Sequence, residues 1–423
     1  MRTYGEIFRV PQLRPLFASV TLQVAASTVS GLALGTYVYG ATGSPLLSAL
    51  AMFGPSLAQL AGASLLLSAA DRLPPRAVLT LTGLAAGAGT LAQAVPGIGL
   101  GAVFAITVSL GIIAPLASGA RYGLLTEILP PEGYLLGRAV FNMANGLLQV
   151  CGFAAGGLAV AFLSARGTLA LGGALWVTGA AVTWLGLRPR PARVSGRASV
   201  AATWRANRAL WASVTRRYVL LALWVPNGLI VGCEAVFVAY SPAHAGLLYA
   251  FAALGMLAGD TVVGRFTPAR WRMRLGPWLR LLLAVPYLAF ALHPALPVAM
   301  AAACAASVGY AASLLLTERL ARLVPDELSG HAMGLQSSGM MVMQGAGAAL
   351  AGAVAQWTSP ATAMVAMAVA SIAVTLLLAP GLREAPAAAG DADAAGGAPG
   401  HLALPVPDPV AGTGSRPEAA GGA

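Results

Sequence analysis

Residues 126–139 read TEILPPEGYLLGRA, and the same pattern returns at 317–332 as TERLARLVPDELSGHA. Both hold Thr-Glu, then Pro-x-Glu, then Gly, a basic or His residue, and Ala. Each stretch follows one long apolar run and precedes another. The run after the first contains Gln149-x-x-Gly152, and the run after the second contains Gln344-x-x-Gly347. The chain therefore reads as two copies of one helical unit, and the charges between the apolar runs must suit both copies.

Composition sets the environment of those units. Of 423 residues, 58% are hydrophobic and 9% charged, against about 25% charged in a soluble domain. That is too little polar surface for solution, so the expected class is an all-α integral membrane protein. The net charge of +11 comes from 25 basic residues, all arginine. Most stand in short segments between apolar runs, a pattern of membrane topology and not of a nucleic-acid-binding face. Cys151, Cys233 and Cys304 each lie in an apolar run without metal-ligand spacing and read as small packing residues. No metal or cofactor motif is present.

A spanning helix needs about 20 mostly apolar residues. Twelve runs qualify: 14–39, 45–70, 77–95, 99–120, 139–163, 168–187, 218–241, 246–264, 275–293, 297–317, 332–356 and 360–380. Arg2, Arg9 and Arg14 precede the first run, which has no clear cleavage site and reads as a retained helix. With the N-terminus inside, Arg72, Arg76, Arg121, Arg138, Arg265, Arg319 and Arg322 fall in inner connections, and only Arg166 falls in an outer one. This asymmetry is the positive-inside rule, and it puts both termini in the cytoplasm. The expected organisation is a six-helix half at 1–187, a basic linker at 188–217, a second six-helix half at 218–382 and a disordered Ala/Gly/Pro-rich tail at 383–423. Within the linker, TWRANRALWASVTRRY reads either as an amphipathic helix on the anionic inner leaflet or as a solvated basic connection.

Two six-helix halves joined by a basic linker resemble the major facilitator superfamily, over roughly residues 10–382. The stretch LLSAADRLPPRAVL is similar to that family's Gly-x-x-x-Asp-Arg-x-Gly-x-Arg loop: Asp71, Arg72 and Arg76 match, while Leu67 and Pro74 replace the glycines. GFAAGG resembles the Gly-Pro-x-x-Gly-Gly signature of proton-coupled exporters through Gly152, Gly156 and Gly157, with Phe153 in place of proline. In the second half, Asp260, Gly264 and Arg265 loosely echo the loop signature. The resemblance implies that Asp71, Arg72 and Arg76, with Asp260 and Arg265 opposite, serve as gate residues. It also implies that runs 1, 4, 7 and 10 line a pathway. By themselves Gly152, Gly156 and Gly157 read first as small-residue helix packing. Proton-driven exporters often carry an arginine in run 4; residues 99–119 hold none, and Thr107 stands near its place.

Periodicity adds its own candidates. Gln23, Ser27 and Ser30 fall at i, i+4 and i+7 of run 1, with Tyr37 seven further on. Asn227 and Glu234 share a face of run 7, and Ser307, Tyr310 and Thr317 a face of run 10. Polar stripes avoid lipid, so these face other helices or a water-filled cavity. Glu234 stands apart because a charge within a span costs roughly 2.5–3.5 kcal/mol on insertion scales. At about 1.5 Å per residue it sits roughly 24 Å along its run, with no arginine expected at its depth. It is the leading candidate for coupling or for binding a solute.

The function these features favour is secondary transport of a small organic solute across the cytoplasmic membrane, by efflux, with proton coupling as an option. A nutrient symporter is the alternative; a membrane enzyme or transporter-like sensor lacks the clustered catalytic groups or added domain it would need. The expected partners are the solute, protons and the bilayer, and the expected state is a monomer.

Overall fold

The structure, a computed structural model, describes residue 6 and residues 8–70, 73–191 and 200–382. Asp71 and Arg72, and the tail from 383 onward, lie outside the described residues.

The first half holds α1 (Leu13–Thr42), α2 (Pro45–Ala70), α3 (Pro75–Ala94) and α4 (Leu100–Ile128). A continuous helical stretch, Pro131–Gly186, follows; Ser164, at φ 68° and ψ 166°, divides it into α5 (131–163) and α6 (165–186). The second half holds α7 (Val214–Ala235, continued by Phe237–Tyr240), α8 (Ala245–Thr261) and α9 (Ala269–Leu282, continued as a 3-10 helix to Leu292). It ends with α10 (Leu296–Leu323, with a 3-10 turn at Gly309–Ala311), α11 (Asp326–Trp357) and α12 (Pro360–Leu382). Among the described residues, eleven apolar helical stretches are long enough to cross a membrane, and the one containing Ser164 is long enough to cross twice. Helices satisfy their own backbone hydrogen bonds, as a bilayer core demands.

Local chemistry sets the joints. Pro45, Pro75, Pro131 and Pro360 open their helices, where the missing N–H costs nothing. Gly43 (φ 63°) ends α1 and Gly97 (φ 84°) turns the chain between α3 and α4; both conformations favour glycine.

Packing is two-fold in pattern. In the first half α1 packs on the α5–α6 stretch, α2 on α4 and α3 on that same stretch. In the second, α7 packs on α11 and α12, α8 on α10 and α9 on α12. Across the halves, α2 meets α11 and α8 meets the α5–α6 stretch. Gly228 and Gly232 of α7 lie so close to α11 that added side chains would strike the backbone of Met343 and Gly347.

The structure moves one helix boundary read from the sequence and gives form to the linker. The fourth helix does not stop near residue 120: it runs to Ile128, so Arg121 lies within the helix and not in a connection. The linker forms a helix, Val200–Ala212, and it docks on the second half. Leu210 is buried in the cluster containing Leu220 and Leu223, Trp211 lies 5.8 Å ring to ring from Trp224, and Asn207 hydrogen-bonds His331 at 2.7 Å. Leu210 and Trp211 of this helix thus pack on protein, while Arg208, Ala209 and Ala212 stand exposed.

Candidate functional site

A cavity of about 760 Å³ lies between the halves, walled by α1, α2, α5, α7, α8, α10 and α11. Helix periodicity explains its polar content. Ser27 and Gly31 come from one face of α1, Asn227 and Glu234 from one face of α7, and Tyr310, Ser313 and Thr317 from one face of α10. Gln149 and Gln344, the matched glutamines of the repeat, enter from α5 and α11. Aromatic and methionine side chains supply much of the rest, including Phe153, Tyr249 and Met340.

Glu234 is 8% exposed and accepts a hydrogen bond from the Tyr310 hydroxyl at 3.3 Å. No described salt bridge involves it. Asn227 accepts from Gln344 Nε2 at 3.3 Å, tying α7 to α11 beside the cavity. The Tyr249 ring stacks on Phe153 across the halves, with centroids 4.8 Å apart, and its hydroxyl is buried without a partner. Asp260, which sequence reasoning assigned to a gate, is exposed and lines this same cavity. Two carboxylates therefore face one chamber. Arg265 does not line it; it stands exposed on the π-helical turn Val262–Phe266.

A second cavity of about 400 Å³ lies within the first half, walled by α1, α2, α3, α4 and α6. Ser27, Gly31, Met52 and Ser56 border both cavities. Gln23 and Ser30 line it, as does Arg121, whose guanidinium donates to Gln23 Oε1 at 3.0 Å. Thr107, the position compared with the exporters' arginine, accepts from Gln93 Nε2 at 2.9 Å. The missed signal at Arg121 was the helix boundary: the apolar run thins near residue 120, but the backbone continues for two more turns.

Tyr37 departs from its predicted stripe. It lies beyond both cavities, accepting from Arg166 at 3.2 Å and standing under that guanidinium at 5.1 Å. Arg76 at the start of α3 stacks over Trp184 of α6 at 4.1 Å. Gly152 faces Thr28 and Gly156 faces Val29, both on α1, while Gly157 meets Gly246 of α8 across the halves. At the same end of the molecule, Ser44 donates to Gln356 at 2.6 Å and the Tyr39 hydroxyl reaches the Ala239 carbonyl at 3.5 Å.

No family profile matches the chain, and no curated protein matches it in sequence. Solved structures do. The chain is similar to a bacterial homologue of the human lysosomal transporter Spinster in an inward-facing, unoccupied conformation, at 16% identity over 90% of this chain and 97% of that one, with a TM-score of 0.67. It is similar to the nucleoside transporter NupG at 13% identity over 88% and 100%, with a TM-score of 0.72. It is also similar to a POT family transporter in complex with a thioalcohol-conjugated peptide, at 12% identity over 87% and 95%, with a TM-score of 0.66. At such identities the likeness carries architecture alone: this is an all-α, multi-pass membrane chain with the major facilitator fold.

Proposed function

We propose that the protein is a secondary transporter moving a small organic solute across the cytoplasmic membrane by alternating access, in the direction of export. The observation that carries this is the chamber of about 760 Å³ built from both halves, with Glu234 in its wall. Its size falls within the roughly 300–1,000 Å³ of small-molecule sites. A chamber shared by two halves changes its access when the halves rock against each other. The pairs Ser44–Gln356, Tyr39–Ala239 and Gly157–Gly246 join the halves at one end. With the arginine-rich connections inside, that end faces outward, which fits a state open to the cytoplasm.

Glu234 is the residue assigned to coupling or solute binding. A carboxyl with a tyrosine donor and, among the described residues, no salt-bridge partner is free to exchange that contact for a proton or a solute donor group. Import remains a second reading because Arg121 and Asp260 make the cavities more charged than the sequence indicated. A resistance assay with a panel of toxic compounds, in a strain lacking its own exporters, tests the export reading. Unchanged sensitivity across the panel would reject it. For Glu234, flux at wild-type rate with wild-type pH dependence in the Glu234→Gln variant would reject its role.

A further inference from the structure

We propose that the smaller cavity is an anion subsite in which Arg121 holds a carboxylate of the solute, so that the cargo is an organic acid or an amphoteric molecule. The inference rests on the transporter reading above and names the chemical class of its cargo.

The ground is an unmet charge. Arg121 carries five N–H donors. Gln23 accepts from one of them, and Nε is buried without a partner. Among the described residues, none lining this cavity is acidic and no salt bridge involves Arg121. A guanidinium taken out of water is costly unless a counter-charge and hydrogen bonds replace its hydration. Among the described residues, the two other arginines with a buried, unpartnered Nε are differently placed: Arg76 stacks on Trp184, and Arg166 on Tyr37.

The neighbourhood suits a carboxylate. Two turns along α1 from Gln23, Ser30 lines the same cavity with its hydroxyl buried and unpartnered, and Gln59, Thr82 and Thr90 add further polar groups to the wall. A planar guanidinium binds a carboxylate in two-pronged fashion. One positive charge balances one negative charge, which favours a carboxylate over a doubly charged phosphate. Because Ser27, Gly31, Met52 and Ser56 border both cavities, a solute in the central chamber can place its acidic group here. Glu234 and Asp260 line the chamber from the other half and would take a donor or cationic group of the solute.

The test uses purified full-length protein in detergent at neutral pH, with benzoate and 3-phenylpropanoate as probes, each beside its own primary amide. Calorimetry and thermal stabilisation report binding. The expected result is a preference for carboxylate over amide of about tenfold or more. That preference should vanish in Arg121→Gln and persist in reduced form in Arg121→Lys, which keeps the charge and loses the fork. Equal binding of acid and amide, or no binding of either acid, overturns the proposal, and this comparison needs only the wild-type chain. So does a preference that survives Arg121→Gln. Flux is measured separately in proteoliposomes. Carboxylate preference without flux of any solute refutes the transporter reading alone, whereas flux of an organic cation untouched by Arg121→Gln refutes the subsite alone.

Discussion

Gly157 of α5 and Gly246 of α8 meet backbone to backbone across the two halves. A Cβ added to Gly246 would stand 2.6 Å from Gly157 Cα, and one on Gly157 would stand 3.0 Å from Gly246 Cα. The second half repeats the device: a Cβ on Gly352 of α11 would stand 2.8 Å from Leu46 Cα of α2. Gly157 and Gly352 are separated by the same interval as Gln149 and Gln344, and as Gly152 and Gly347. The repeat thus preserves both a cavity residue and the glycine that lets the halves touch.

Widening that contact should open this end of the molecule. In a background without Cys151, Cys233 and Cys304, cysteines placed by Ser44→Cys and Gln356→Cys should cross-link readily, since the native side chains lie 2.6 Å apart. Adding Gly246→Leu should reduce the cross-linked fraction severalfold, because helices cannot repack around a branched side chain where backbones touch. An unchanged yield would show that the halves are held elsewhere.

Glu234 and Tyr310 should act as a unit. Glu234→Gln is expected to lower flux about tenfold or more. Tyr310→Phe removes one hydrogen bond, worth about 1 kcal/mol, and should lower flux about fivefold. The double variant should be little worse than Glu234→Gln alone. Fully additive losses in a proteoliposome assay would mean that Tyr310 contributes by a separate route.

The α7–α11 crossing offers a stability test with an internal control. A methyl group on Gly347 would strike the Gly228 carbonyl, whereas one on Gly334, in the same helix, meets nothing within 4 Å. Gly347→Ala should cost about 1–3 kcal/mol through overpacking. Gly334→Ala should be neutral or stabilising by up to about 1 kcal/mol from helix propensity. Melting temperatures in detergent that fall equally for both variants would contradict the packing account.

Arg76 and Trp184 should be coupled in stability. The guanidinium stacks on the indole at 4.1 Å, a contact worth about 0.5–2 kcal/mol. Arg76→Gln and Trp184→Leu should each lower the melting temperature, and together they should lower it by less than the sum. Strict additivity would reduce the contact to coincidence.

The helices were legible because spanning demands long apolar runs and leaves arginines on one side. The two-fold repeat was legible from the glutamine and glycine pairs. What escaped the sequence were features set by geometry beyond the apolar run. Arg121 marked an apparent helix end because hydropathy falls there, yet a half-buried arginine can sit in a helix wall wherever a cavity gives it polar neighbours. Asp260 resembled a gate by motif position, and only tertiary packing turns it toward the chamber. Tyr37 kept the spacing of the α1 stripe, but the stripe runs past the end of the cavity, where Arg166 claims the ring.

The docked linker helix has a practical consequence. Through Leu210, Trp211 and the Asn207–His331 contact it belongs to the second half, while Leu187 is buried with Leu13 and Arg190 pairs with Glu127 in the first, so the tie between halves reduces to residues 192–199. Eight residues can reach roughly 28 Å when extended, more than the spacing of adjacent helices. Covalent continuity is then dispensable for assembly. Separately expressed fragments 1–191 and 200–423 should find each other in the membrane through α2–α11 and α5–α8 and co-purify as one particle.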